Sequence, residues 1–383
     1  MTFDDIIGQS EAIRSLRAAI DNNRLPHALL IAGHEGTGGL PLAWAAAQYI
    51  LCTHKNKKGE ICGDCPDCVQ AAKAAHPDLH WVYPVINKGS GSSSVSTDYA
   101  REWRQALIAN PWMSLSQWVR AMSNDENANK QAKIFVTEAA EIVRKLSTKP
   151  LQNDWRVLIL WMPELLNEDA ANKLLKIIEE PYDHTCLMLV SANPERIIGT
   201  IRSRVQRLNL PLLPEEVIAE ALNQRFGTSP AKASEIAHLS HGSWITAQEL
   251  LANDETRAYF LEKFTAMMRL SYARRLFDMK TWSEEMASLT REKQCAYLQF
   301  AQSQIRENFI LNFQQPDIIY QSEEEAQFST RFHPFVNHKN VVGIMNELSL
   351  AERDVNQNVN SKMVFFDLAL RLIMLLKAQE KSG

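Results

Sequence analysis

The stretch Gly33–Leu40, GHEGTGGL, decides how the first half of the chain is read. It follows HALLIAG (27–33), an apolar run of strand length, and it leads into LPLAWAAAQYILC (40–52), whose apolar spacing is helical. A strand, a glycine-rich turn and a helix form the context of a phosphate-binding loop, written G-x-x-x-x-G-K-[ST]. Gly33 and Gly38 hold the glycine positions, and Gly36 and Gly39 would also let backbone N–H groups approach an anion at the helix start. Both working side chains are gone. Gly39 stands where a lysine would reach the outer phosphates, and Leu40 stands where a hydroxyl would hold magnesium. Pro41 offers no N–H, although it suits a first helical turn. Taken alone, the loop reads as a tight strand-to-helix turn.

Outward from the loop, four further runs have strand character: LHWVYPV (79–85), WRVLILWM (155–162), CLMLVSA (186–192) and RVQRLNL (204–210). Helical patterns separate them, notably IFVTEAAEIVRKL (134–146) and NEDAANKLLKIIEEP (167–181). Apolar strands alternating with helices predict a parallel sheet covered on both faces. A segment at 87–132 interrupts this plan. It opens with the Gly/Ser-rich NKGSGSSSVST and carries Trp103, Trp112 and Trp118, read as an insertion whose aromatics pack locally or offer a contact surface.

From Pro214 two short helical patterns follow, with Pro214 and Pro230 suited to first turns and Gly227 to a helix stop. Beyond about residue 254 only amphipathic helical stretches appear. The predicted fold class is therefore α/β plus all-α. The expected domains are 1–210, a five-stranded α/β domain, then 211–253, a small helical domain, and 254–383, a helical domain.

The chain has 383 residues, 45% of them apolar, and a formal net charge of -4, so there is no overall basic footprint for tight DNA binding by this chain alone. Its apolar runs fall well short of the roughly 20 residues of a membrane span. The start MTFDDIIGQS is acidic and lacks the basic-then-apolar order of a secretory signal. No membrane association and a cytoplasmic location are expected.

Six cysteines are present, and four cluster as Cys52-x9-Cys62-x2-Cys65-x2-Cys68. Four thiolates at such spacing can enclose a tetrahedral zinc ion and leave no open position for catalysis. In an intracellular protein a metal site is favoured over disulfides. Iron–sulfur ligation and a redox pair are the alternatives. His54 and His76 read as bystanders, and Cys186 and Cys295 as isolated packing residues. Lys55, Lys57 and Lys58 beside the cluster could meet phosphate in a zinc-dependent nucleic-acid-binding module, or simply form a solvated loop.

A second catalytic set is missing as well. After the strand VLIL a nucleotide-hydrolysing enzyme of this type would carry Asp-Glu for magnesium and water, whereas Trp161 and Met162 stand here. Glu164, three positions on, is the one candidate substitute base. A rival reading is a nucleotide-binding ATPase with unusual ligands, in which backbone contacts hold ATP and Glu164 acts as base.

Four segments in order, FDDIIGQSEAIRSLRAAIDNNRLPHALLIAGHEGTGG (3–39), NEDAANKLLKIIEEP, SANPERIIGTIRSR (191–204) and SHGS (240–243), resemble the successive boxes of bacterial DNA polymerase III clamp-loader subunits of the AAA+ family, best its delta-prime branch. The resemblance spans about 1–85 and 133–250. It leaves the insertion outside and agrees with the last third only as an all-helical segment. It implies an AAA+ sheet domain, a helical lid and a C-terminal collar. It also implies a non-catalytic ring member that binds no ATP itself, beside ATP-binding motor subunits of gamma/tau type and a delta subunit, and indirectly the sliding clamp and primer-template DNA. A zinc module like Cys52–Cys68 occurs in such subunits. Ser203-Arg204 matches the family's Ser-Arg-Cys motif, with Val205 in place of the cysteine, and the resemblance makes Arg204 a trans-acting finger for a neighbour's ATP site. The lid arginine of active members would fall just after Gly242-Ser243, where Trp244 and Ile245 stand.

Overall fold

Alternate residues of β1, Ala28–Ala32, enter two different cores, and this fixes the layering of the first half of the chain. Leu29 and Ile31 join one core, while Ala28, Leu30 and Ala32 join the other. A strand buried on both faces must be apolar throughout. The computed structural model describes residues 1–56, 59–87, 94–123, 131–252, 254–313 and 321–376. The chain folds as two compact units, Met1–Gln248 and Glu249–Gly383.

In the first unit, β2 (Leu79–Val82), β3 (Arg156–Trp161), β4 (Thr185–Ser191) and β5 (Gln206–Asn209) join β1 in one parallel sheet of order β2-β3-β4-β1-β5. Five parallel strands with helices on both faces are what the sequence predicts. β1 lies between β4 and β5, with Leu30 opposite Leu189 on one side and Arg207 on the other. All five strand readings are realised. β5 differs in character, being mostly exposed, because an edge strand pairs on one side only and polar side chains guard its free edge.

Helices α1 (Ser10–Asp21) and α2 (Gly39–Leu51) cover one face of the sheet. A short α3 (Pro66–Ala72) follows the cysteine loop. The other face is covered by α6 (Val136–Ser147) and α7 (Glu168–Glu179), the latter capped by Asn167, which accepts from the Ala170 N–H at 3.0 Å.

The insertion supplies α4 (Ala100–Ala109) and α5 (Leu115–Ser123); its residues 88–93 and 124–130 lie outside the described residues. Its base is closed by a reciprocal pair of hydrogen bonds between Val85 and Lys133, at 2.9 and 3.0 Å. Trp103, Trp112 and Trp118 are all buried. Trp103 stacks on Tyr83 with ring centroids 4.0 Å apart, and Trp118 donates its indole N–H to the Pro84 carbonyl at 2.8 Å. The insertion is thus a third set of helices on the α2 face of the sheet.

After the short α8 (Gly199–Arg202) and β5 come α9 (Glu215–Phe226), α10 (Pro230–Leu239) and α11 (Trp244–Ala252). Pro230 opens α10, and Gly227 ends α9 in the left-handed region at φ +65°, whereas Pro214 is one step outside α9 as its cap. The second unit holds α12 (Asp254–Ala273), α13 (Leu276–Ser288), α14 (Arg291–Leu311), α15 (Glu323–Phe332), α16 (Val341–Asn356) and α17 (Ser361–Leu376), with no strand among the described residues. Phe264, Tyr297, Ile344 and Phe365 lie at its centre.

Candidate functional site

The glycine-rich turn joins the end of β1 to the start of α2, where a phosphate loop belongs. Gly36 and Gly38 require their residue type, with φ of +87° and +97°. A Cβ on Gly36 would lie 2.1 Å from the Ser243 hydroxyl, and one on Gly38 would lie 2.8 Å from the Trp112 ring. The turn is braced from several sides. Gln9 donates its amide to the carbonyls of Thr37 at 3.0 Å and Pro211 at 2.8 Å. Ser243 donates its hydroxyl to the Glu35 carbonyl, and the Trp244 N–H reaches the Gly36 carbonyl, both at 3.0 Å. The SHGS segment therefore docks on the loop through a hydroxyl and a backbone N–H, while Trp244 is fully buried and Ile245 faces the loop.

The space in front of the loop is a cavity of about 40 Å³, lined among others by Gly38, Pro41, Trp112, Trp161, Met162 and Ile245. Small-molecule pockets hold about 300–1,000 Å³. Among the described residues no lysine or arginine lines it. Trp161, where an aspartate would hold magnesium, is buried against Trp103 of the insertion at 5.4 Å. Glu164 follows β3 in a short 3₁₀ turn, Pro163–Leu165. Its Oε1 accepts the N–H groups of Ala192 at 3.0 Å and Asn193 at 3.1 Å, which ties that turn to the end of β4.

Arg204 lies on the surface between α8 and β5. It donates Nε to Glu179 at the end of α7, and Nη1 to the Thr200 carbonyl at 2.9 Å and the Ser203 hydroxyl at 3.3 Å. Ser203 also donates to the Thr200 carbonyl at 3.2 Å, so it helps hold the turn that carries the arginine. Arg202 and Arg207 are both engaged by one carboxylate, Glu195.

The four cysteines converge. Their sulfurs all lie within 4.8 Å of one another, with Cys52–Cys62 and Cys62–Cys68 each 3.8 Å apart. A disulfide needs about 2.05 Å, and a tetrahedron with arms of about 2.3 Å has edges of about 3.8 Å. The donor set and spacing therefore fit a single metal ion. Backbone N–H groups of Cys62, Cys65 and Cys68 each point at the sulfur of the preceding cysteine at 3.4 Å. The Cys65 N–H draws the Cys62 thiol down to about 7, while burial raises Cys52 and Cys68. Gly63 makes the turn at φ +83° and Pro66 starts α3, the two roles that Gly and Pro suit.

The histidines stand aside from the sulfurs. His54 contacts Thr53 at 2.9 Å, and buried His76 contacts Asp67 at 2.9 Å. Asp67, between two of the cysteines, also accepts from Gln152 at 2.9 Å and so joins the module to the segment before β3. Lys55 pairs with Asp21 at 2.9 Å and lies 3.7 Å above the Tyr49 ring, while Lys57 and Lys58 lie outside the described residues. Cys186 is buried in β4 and Cys295 lies on α14. Among the described residues no helix is long and apolar enough to cross a membrane.

Sequence reasoning found the loop, the cysteines and the arginine turn. It missed Gln9 as a brace and Trp112 as a lining residue; Gln9 carried no assigned role, and Trp112 was read only as one of the insertion's packing or contact aromatics.

The family model described as DNA polymerase III, delta subunit, matches residues 8–214. DNA polymerase III subunit delta' of Bacillus subtilis is 27% identical over 247 residues, covering 64% of this chain and 60% of that protein. The delta' subunit of Escherichia coli is 27% identical over 284 residues, covering 74% of this chain and 70% of that one. DNA polymerase III subunit gamma/tau of Mycobacterium bovis is 24% identical over 221 residues, 58% of this chain, and the match spans only 30% of that relative's length. With more than half of its length under the family model and relatives that bear the delta' name, the chain belongs to the DNA polymerase III delta-subunit family, on its delta' side.

Proposed function

We propose that this chain is a delta-prime-type AAA+ subunit of a bacterial clamp loader, supporting ATP-dependent loading of a sliding clamp onto primed DNA without hydrolysing ATP itself. The observation that carries the reading is a contrast between two sites. The chain's own loop faces a cavity of about 40 Å³ with no lysine or arginine among the described residues that line it, while Arg204 is held on the surface. A guanidinium suits the charge that develops on a transferred phosphoryl group, and such fingers contribute about 10³–10⁵ in rate. Arg204 would reach the ATP site of an adjoining gamma/tau-type motor subunit, with Ser203 steadying its turn. The delta subunit completes the ring in this reading, and residues 211–253 and 254–383 serve as lid and collar. Zinc is the metal we assign to Cys52, Cys62, Cys65 and Cys68, in a structural role, on the strength of the all-sulfur donor set and its spacing. The rival ATPase reading has less support, because Glu164 Oε1 serves the end of β4 and its Oε2 is buried, although that oxygen carries no partner.

The test is reconstitution with motor and delta subunits, followed by DNA-stimulated ATP hydrolysis. Arg204→Ala should assemble normally and lower that activity. Undiminished hydrolysis in an intact complex would refute the finger role.

A further inference from the structure

The loop cavity is closed by a residue from the insertion, which no feature of the loop itself requires. Trp112 is only 4% exposed, and its ring lies 2.8–3.0 Å from where a Cβ on Gly38 would stand. Its edge meets Trp244 at 6.2 Å, so aromatic rings from the insertion and from α11 meet over the loop. The turn that carries it is pinned from both ends. The Trp112 N–H bonds the Asn110 side chain at 3.1 Å, and the Leu115 N–H bonds the carboxylate of Glu35, inside the loop, at 3.1 Å. The Trp112 indole N–H is buried with no partner, so shape rather than hydrogen bonding holds the ring there. Beside it, Trp161 fills the position of a metal-binding aspartate and packs on Trp103 of the same insertion.

We propose that Trp112 is a built-in plug that excludes nucleotide from the loop by occupying the space a phosphate chain would need. The inference rests on the reading that this chain does not use ATP, and it adds a second, independent barrier to the missing lysine and hydroxyl. Restoring those two groups alone is then insufficient. Nucleotide must still displace a packed indole, and the apparent affinity is lowered by the small fraction of molecules in which the loop is open. Because that indole is packed against Trp244 and held by the Glu35–Leu115 bond, the open fraction is small.

The experiment uses the full chain and a fluorescent ADP analogue with magnesium. Wild type, Gly39→Lys/Leu40→Thr, and the same pair with Trp112→Ala or Trp112→Phe are titrated, each checked for a native melting transition. The Gly39 substitution is tight, since its Cβ would stand 3.0 Å from Val190 Cγ1 and that side chain must give way slightly, which is why each variant is checked for folding. The expected result is binding only in the Trp112→Ala background, tighter than the double variant by at least about tenfold, a difference of about 1.4 kcal/mol. Trp112→Phe should keep the site closed. Equal binding by the double variant with Trp112 intact would overturn the plug and leave the wider reading standing. Failure of the folded Trp112→Ala triple variant to bind would overturn it too. Should that triple variant not fold, Trp112→Leu replaces it under the same criteria. Binding by wild type would overturn both the plug and the reading that the chain does not use ATP.

Discussion

Arg204 rests on Glu179, and both side chains are exposed, at 37% and 45%. The pair joins the turn before β5 to the end of α7. Exposed pairs contribute about 0–1 kcal/mol, so the contact orients the guanidinium without committing it. In the proposed finger role, a phosphate group of a neighbour would replace Glu179 at little cost.

Glu179→Gln is accordingly expected to leave the unfolding midpoint of the isolated chain nearly unchanged, within the equivalent of about 1 kcal/mol. Arg204→Lys should resemble Arg204→Ala in the reconstituted ring, because lysine lacks the planar fork that meets two phosphate oxygens. Full activity with lysine would show that charge alone suffices.

Glu164→Ala separates support from catalysis. The Ala192 N–H loses its acceptor, while the Asn193 N–H keeps the Ser191 hydroxyl at 3.1 Å, so the chain should be destabilised by about 1–3 kcal/mol in urea unfolding. Hydrolysis by the assembled ring should be unaffected. A variant that folds as well as wild type but abolishes hydrolysis would revive Glu164 as a base.

Metal removal should act on stability. One zinc per chain is expected by atomic absorption, and Cys62→Ser or a chelator should lower the melting temperature, since metal binding to such a site is folding free energy. The effect should spread to the segment before β3, because Asp67 links the module to Gln152. A chain that melts identically with and without chelator would remove the structural role.

Glu138 gives a pH test. It is buried on α6, its Oε2 accepts the Ser96 N–H at 2.5 Å, and its Oε1 has no partner. Burial raises its pKa above 4.5, so the protonated form is favoured more in the folded than in the unfolded chain. The unfolded chain then binds fewer protons, and this contribution to stability is full at low pH and is lost as pH rises from about 4.5 through the raised folded value. Glu138→Gln should flatten that decline and be at least as stable as wild type near neutral pH. Denaturant unfolding at several pH values reads both; a variant whose stability still falls with pH as steeply as wild type's would show that Glu138 is not the group responsible.

The strand patterns were legible because a sheet covered on both faces demands continuous apolar runs, as in β1 and β3. The cysteine site was legible because two C-x2-C spacings bring sulfurs together almost regardless of what surrounds them. β5 was legible as a strand but not as an exposed edge, since edge position depends on the order of strands. The insertion was the least legible part. Its three tryptophans could be assigned to packing or to contact, and only the tertiary structure places Trp103 on Tyr83 and Trp118 on Pro84.

What the sequence by itself determined was chemical inventory at short range: a phosphate loop without its lysine and hydroxyl, a strand end without acids, four thiols at metal spacing and an arginine after serine. Each of these is a matter of which groups are present within a few positions. The tertiary structure decided what fills and uses the space between them. The 110–115 turn meets the loop through Leu115 and Glu35, 80 positions apart, and Glu164 serves amides 28 and 29 positions away. Such pairings follow from packing two cores on one sheet, and no local pattern encodes them.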